Sequence, residues 1–131
     1  MEITQKSKDA FVAAAKKLSI APELPDVSKM RPDLGLYITA VAMLAVILEA
    51  EKDGKVHDIT NHDVYKYEPL FMAEEGYEAG SSGGGFSFDD FVDGRACSGV
   101  GARLSSNSRQ ECEANAEAYP DLWEIFILNV R

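Results

Sequence analysis

An uncharged run of fifteen residues, LGLYITAVAMLAVIL, constrains the fold more than any other stretch of this chain. It extends from Leu34 to Leu48, and the charged stretch EAEKDGK follows it. A helix that spans a membrane needs about 20 apolar residues and is usually flanked by Lys, Arg or Trp anchors. The run is shorter and its ends lack these anchors. We therefore predict the buried central helix of a globular domain, from near Pro32 to about Lys52.

A second helical pattern precedes the apolar run. Apolar residues recur at intervals of three and four between Thr4 and Leu18, which predicts a helix with one apolar stripe. The stretch APELPDVSKMRPD that follows contains three prolines, so we predict an extended connector between the two helices.

The middle of the chain predicts strands. DVYKYEPLFMA, GGFSFDDFV and GVGARLS each contain alternating apolar residues, and no helical pattern separates them. Pro69 limits the first strand to a sheet edge or a bulge. Phe91 is out of phase with the two preceding phenylalanines, which predicts that the second strand bends or ends near Asp89-Asp90. The three strands are expected to form an antiparallel meander.

The segment NSRQECEANAEAYPDLWEIFILNV returns to helical spacing. Ser108 and Glu111 form the sequence signature of a capping box, and Pro120 inside the pattern predicts a kink or a division of the helix. The fold predicted is a single α+β domain over residues 1–131. It has two N-terminal helices, a three-stranded antiparallel meander and a C-terminal helix.

The charge of the chain limits the partners that it can bind. There are 13 basic and 22 acidic residues, giving a formal net charge of −9. This balance disfavours binding to nucleic acid and to an anionic membrane surface. It suits a soluble protein that docks on a basic protein partner. The acidic residues are concentrated in the C-terminal half, and the candidate partner-binding residues are Glu111, Glu113, Glu117, Asp89 and Asp90.

The glycine-rich stretch AGSSGGGFSF has part of the spacing of a phosphate-binding loop. Such a loop needs a lysine and then Ser or Thr after its last glycine, and it opens a helix. Here Phe86 and Ser87 occupy those two positions, and a predicted strand follows. We therefore interpret Gly80 to Gly85 as a connecting loop, and no cofactor is predicted.

Three aspartates after this loop partly match a calcium-binding loop. Asp89 and Asp93 fit two ligand positions, but Phe91 and Val100 stand where further ligands are needed. Polar residues on the solvent face of a strand and in the following turn explain the pattern better. No metal site is predicted here.

The stretch HDITNHD places His57 and His62 beside Asp58 and Asp63. Imidazole and carboxylate groups together can hold a metal ion or serve in acid–base catalysis. A separation of five puts the two histidines on neither one helical face nor one strand face, so we predict a solvated connector. A small metal- or ligand-binding enzyme that uses this region is the third hypothesis for function.

Two cysteines, Cys97 and Cys112, are too few for a disulfide framework or for a zinc site of their own. They predict reduced, structural thiols in a cytosolic protein. The N-terminal stretch MEITQKSKDAFVAAAKK lacks the long apolar segment of a signal peptide, which also predicts an intracellular protein.

Several short stretches occur in an order that resembles a family. YKYEPLF (65–71), GGGFSF (83–88) and VGARL (100–104), followed by an acidic helix, resemble small uncharacterised proteins of gut Bacteroidetes and their bacteriophages. In the front half, DAFVAAAKKLSI and LPDVS before the apolar helix also resemble this family. The resemblance implies a phage or prophage setting and carries no catalytic residues.

Together these observations favour a non-enzymatic, acidic protein of phage or prophage origin in the cytoplasm of a host cell. It is expected to act by binding a protein partner, such as a basic host factor that it inhibits. A minor virion or assembly component is the alternative.

Overall fold

The structure is a computed structural model, and it describes residues 1–80 and 84–128. Four helices and a two-stranded sheet are present in these residues, which confirms the α+β class. The elements follow one another as α1 (Gln5–Lys17), α2 (Pro32–Glu51), β1 (Lys66–Ala73), β2 (Phe86–Gly94), α3 (Arg109–Ala118) and α4 (Pro120–Leu128). The central part of the predicted Gly80–Gly85 loop lies outside the described residues.

The apolar helix α2 supplies much of the core. Proline at its first turn suits the start of a helix, and α1 and α4 both pack against it. Ala40, Leu44 and Leu48 are fully buried, and Met43 and Ile47 are nearly so. A helix that is apolar on all sides is best accommodated by contacts on several faces.

By length and composition, α2 would also be able to cross a membrane. It has 20 residues and a mean hydropathy of 1.8, and it is the single helix of this kind among residues 1–80 and 84–128. The core helix of a globular domain meets the same criterion. In the structure α2 packs against α1 and α4, and 39% of its apolar window is buried.

A carboxylate of α4 holds the N-terminal turn of the first helix. Asp121, in the first turn of α4, accepts hydrogen bonds from the Thr4 backbone N–H at 2.8 Å and from the Ser7 hydroxyl at 2.8 Å. Thr4 in turn caps α1 by accepting from the Ser7 backbone N–H. This group of contacts, which we call the α1–α4 clasp, joins residues 117 positions apart.

The hairpin of β1 and β2 contains a β-bulge. Leu70 lies opposite Asp90 and Phe71 lies opposite Phe88, so Asp89 is an extra residue without a partner on β1. The extra residue shifts the alternation by one position. Phe91 therefore shares a face with Phe88, and β2 continues past the predicted irregularity to Gly94.

The hairpin packs on α3, and an aromatic ring of β1 also contacts α4. Phe71 lies 5.6 Å from Trp123, between ring centroids, and it stacks on Phe86 at 5.2 Å. On the same face, the guanidinium of Arg109 lies 4.7 Å from the centre of the Phe91 ring. The residues of this face are thereby shielded on one side, and the opposite face of the hairpin points away from α4.

The prediction of a third strand at 99–105 is wrong. This segment consists of turns and bends, and only an isolated bridge between Tyr67 and Ser106 extends the sheet of the described residues. The reason lies in Glu68, whose carboxylate accepts hydrogen bonds from the backbone N–H of Gly99 at 2.9 Å and of Val100 at 3.4 Å. Because these donors bind a side chain, they are not offered to a neighbouring strand.

The C-terminal helix is divided at Pro120, as one of the two predicted outcomes. The α3 helix ends at Ala118, and α4 begins at the proline itself. Ser108 caps α3 by accepting a hydrogen bond from the Glu111 backbone N–H at 3.1 Å. The division allows Trp123 and Leu122 to be fully buried while Cys112 and Ala116 of α3 are buried as well.

Candidate functional site

The five predicted partner-binding residues differ in their exposure. Glu113 and Glu117 are exposed and lie one turn apart on α3, as expected for an acidic docking face. Glu111 is only partly exposed, and its Oε2 atom is buried with no hydrogen-bond partner among the residues described. Asp89 and Asp90 are exposed on the hairpin. Glu111 therefore belongs to a different environment from the other four.

The outward side of the hairpin carries apolar residues that sequence reasoning did not single out. Leu70, Met72 and Val92 lie on the face opposite the aromatic rings, and they are 46%, 52% and 45% exposed. Asp90 lies directly across from Leu70 on this face. We call these four residues the hairpin outer face. Large apolar side chains close together on a surface often mark a protein interface.

Alternation could have revealed this surface from the sequence. Residues 70 and 72 share a face of a strand, and 71 points to the other. The assignment of Leu70 to the outside needed one further fact, which is that the aromatic rings turn towards α4.

His57 is part of a polar network that the sequence did not predict. Its Nδ1 lies 2.5 Å from the Ser105 hydroxyl, and its Nε2 lies 2.9 Å from Oδ1 of Asn107. With the amide oxygen facing it, Nε2 donates to Asn107, and the Ser105 hydroxyl lies within hydrogen-bond distance of both Nδ1 and the Ala102 carbonyl. Burial lowers the pKa of His57, which favours the neutral form. His62, by contrast, is exposed.

A serine, a histidine and an amide in contact also occur in nucleophilic enzymes. Here the Ser105 side chain is completely buried, so its hydroxyl does not face a space that a substrate can enter. The network instead ties the connector at His57 to the turn before α3. No group of three or more His, Cys, Asp or Glu residues in the described ranges is arranged to hold a metal ion.

The two cysteines differ in environment. Cys97 is exposed, whereas Cys112 lies in the core with its side chain fully buried. Burial raises the pKa of Cys112 to about 12, so its thiol stays protonated and unreactive near neutral pH.

Lys52 ends α2 with a buried ammonium group. The residue is 2% exposed, and its Nζ donates to the backbone carbonyls of Arg103 at 2.9 Å and of Ser105 at 2.6 Å. It thereby fastens the turn segment before α3 to the central helix. Burial lowers the pKa of Lys52 from 10.5 to about 8, because the charged form loses its hydration.

This shift predicts that alkaline conditions remove a destabilising contribution of Lys52. Between about pH 8 and pH 10.5 the unfolded chain keeps the lysine proton more strongly than the folded one, so stability rises with pH over that window. The neutral amine still has two N–H groups for its two carbonyl partners. Urea unfolding of the wild type and of Lys52→Met at about pH 7.5 and about pH 10 measures the effect.

Comparison with Lys52→Met isolates the effect of Lys52 on stability. The raised pKa of Cys112 lowers stability as the pH rises, but it does so in both proteins. We expect the urea concentration at the unfolding midpoint to increase for the wild type, relative to the variant, as the pH rises. Parallel pH profiles for the two proteins would contradict a buried, weakly basic Lys52.

A groove lies among α1, α2 and α3 and has a volume of about 460 Å³. Its walls are built mainly from small residues, and we call it the alanine groove after Ala10, Ala13, Ala14, Ala50, Ala114 and Ala118. Glu51, Glu111 and Asn115 also line it. Burial raises the pKa of Glu51, and the charge of Glu111 raises it further, against hydrogen bonds from Ser106 and Asn115 that lower it.

The residues of the alanine groove were missed because they come from three separate segments. On α3, however, positions 111, 114, 115 and 118 follow the spacing of one helical face. Comparison of the chain with protein-family models, with curated proteins and with solved structures gives no match.

Proposed function

We propose that this chain is a non-enzymatic protein that acts by binding a basic protein partner through the hairpin outer face. The observation that carries the proposal is the set of three apolar side chains, each about half exposed, around Asp90. The resemblance to proteins of gut Bacteroidetes and their phages supports a phage or prophage origin and action in the host cytoplasm.

The open edge of β2 strengthens the proposal. In the part of the chain that the structure describes, β2 pairs with β1 only, so one edge of the strand has no β partner. An exposed edge next to apolar side chains can receive a segment of another protein. The apolar residues supply contact area, and the backbone of the edge supplies hydrogen bonds.

The charge around this surface selects the partner. Asp89, Asp90 and Asp93 all lie on β2 and are exposed. A row of negative charge on an edge strand opposes pairing between two copies of this chain. It attracts a positively charged segment and speeds its encounter, most strongly at low ionic strength. The partner expected is therefore a protein segment that combines basic with apolar side chains.

A double variant tests the proposed surface. Leu70→Thr with Val92→Thr removes apolar contact area but keeps residues that suit a strand. We expect partner affinity to fall by about tenfold or more. Loss of an apolar contact at the centre of an interface weakens binding several-fold, and this variant removes two. Capture from host-cell lysate identifies the partner, and binding kinetics with the purified partner then measure the loss.

The matched control is Val12→Thr with Ile20→Thr. These residues have similar exposure, 51% and 46%, and lie outside the hairpin. Both double variants should melt close to the wild type, because exposed substitutions usually change stability by no more than about 0.5 kcal/mol. Equal loss of affinity in both, or an association rate that does not respond to salt, would contradict the proposal.

A further inference from the structure

The acidic end of the alanine groove contains acceptors without donors. Glu51 of α2 and Glu111 of α3 both line it, and burial together with the charge of Glu111 raises the pKa of Glu51. Oε2 of Glu111 is buried and has no hydrogen-bond partner in residues 1–80 or 84–128. A buried carboxylate oxygen that lacks a hydrogen bond is costly, so this site is suited to a group that brings a donor.

Asn115 supplies an independent indication of a ligand. The residue is 4% exposed, and its Nδ2 donates to the Ser106 hydroxyl at 2.8 Å and to the Glu111 carbonyl at 2.9 Å. It also lies 3.1 Å from Oε2 of Glu51. Its Oδ1 is buried and has no partner within the described chain. Two acceptors of α3 without partners, Oε2 of Glu111 and Oδ1 of Asn115, therefore come from residues one turn apart, and the carboxylate of Glu51 lies beside them.

The chain's own cation at the groove is already engaged. Lys17 lines the groove, but its ammonium donates to the Ala50 carbonyl at 2.7 Å and forms an ion pair with Asp53 at 3.0 Å. The charge of Lys52 also acts on Glu51 and Glu111, but its ammonium donates its hydrogen bonds to the carbonyls of Arg103 and Ser105.

The walls of the alanine groove indicate the shape of the group that it can accept. Alanine side chains from all three helices leave space where larger residues would fill the interior, and the volume of about 460 Å³ is typical of a small-ligand site. Apolar walls accommodate an aliphatic stem, and the acidic end accommodates a charged tip. A guanidinium has five donors in one plane, which allows it to serve acceptors on several residues together.

We propose that the alanine groove binds a guanidinium group on an aliphatic stem, with the stem along the alanines and the guanidinium at Glu51, Glu111 and Asn115. This site is separate from the hairpin outer face, and neither proposal depends on the other. The guanidinium belongs either to a free small molecule or to an arginine side chain of a protein.

Titration of the full chain with n-butylguanidinium, followed by calorimetry or by NMR shifts, tests the site. n-Butylurea has the same shape without charge, and we expect it to bind about tenfold more weakly or worse. Glu111→Gln should weaken n-butylguanidinium binding by about tenfold. Glu117→Gln on the exposed side of the same helix should leave it within about twofold.

A second variant blocks the stem without changing charge. Ala114→Leu places a larger side chain at an exposed position of the groove wall, and it should abolish binding while the melting temperature stays near that of the wild type. A blocked Ala-Arg-Ala peptide distinguishes the two sources. Tighter binding of the peptide assigns the groove to a protein arginine, and tighter binding of n-butylguanidinium assigns it to a free cation.

The proposal is overturned if n-butylguanidinium fails to bind at millimolar concentration or binds no better than n-butylurea. It is also overturned if Glu111→Gln and Glu117→Gln have equal effects.

Discussion

Replacement of Leu44 by aspartate is expected to unfold the domain. Leu44 is fully buried in α2, the helix against which α1 and α4 pack. A charge without a partner at this position should cost about 4 kcal/mol or more, which is comparable with the whole stability of a domain of this size. Circular dichroism on heating measures the effect, and we expect no cooperative transition at room temperature or above.

Leu34→Asp is the matched control for this experiment. Leu34 lies in the first turn of the same helix and is 41% exposed. A carboxylate there remains hydrated and is favoured by the helix dipole, so stability should stay within about 0.5 kcal/mol of the wild type. If Leu44→Asp melted like Leu34→Asp, the interpretation of α2 as the core helix would be wrong.

Removal of the Trp123 side chain should be the next most damaging change. Trp123 is fully buried, and its ring lies 5.6 Å from Phe71 of the hairpin and 6.0 Å from Phe126. It therefore connects α4 to the sheet. Trp123→Ala is expected to cost about 3–5 kcal/mol, because a large cavity replaces these contacts. Urea unfolding followed by circular dichroism gives the value, since the variant has no tryptophan left to report by fluorescence.

Ile127→Ala serves as its comparison on the same helix. Ile127 is 44% exposed, so its truncation removes less buried area and should cost well under half as much. A loss for Trp123→Ala no larger than that for Ile127→Ala would mean that the hairpin does not depend on α4 for its position.

Features whose cause lies within one turn of the chain were predictable from the sequence. Ser108 caps α3, and Pro120 divides the last helix, because a hydroxyl before a helix and a proline inside one act on their nearest neighbours. The irregularity of β2 near Asp89-Asp90 was indicated by the phase of Phe91, although the sequence did not distinguish a bulge from the end of the strand.

Features that depend on distant residues were not predictable. Val100, Ala102 and Leu104 alternate as strand residues do. The backbone N–H groups at 99 and 100, however, donate to the carboxylate of Glu68, which lies 31 and 32 positions earlier in the chain. A buried carboxylate that accepts backbone N–H groups overrides a weak local preference for the strand. Nothing in the pattern of 99–105 itself indicates this competitor.

The candidate sites show the same division. The sequence shows that Glu111, Glu113 and Glu117 carry charge, but only the packing of α3 separates the first from the other two. Helical spacing places 111 with the alanines at 114 and 118, whereas its counterpart Glu51 lies on another helix. The existence of a partner and its basic character are predictions that the binding experiments above test. The phage setting and the cytoplasmic location also stay predictions.

The α1–α4 clasp has a consequence for how the chain is made. A ribosome delivers α1 and the apolar α2 long before Asp121, the carboxylate that holds the N-terminal turn of α1 in the clasp. Until α4 emerges, the nascent chain exposes the face of α2 that α4 later covers. Contacts of such large sequence separation form late and leave apolar surface open to aggregation. Folding of this domain therefore waits until α4 has left the ribosome, and we expect the nascent chain to be a substrate for chaperones that shield apolar helices.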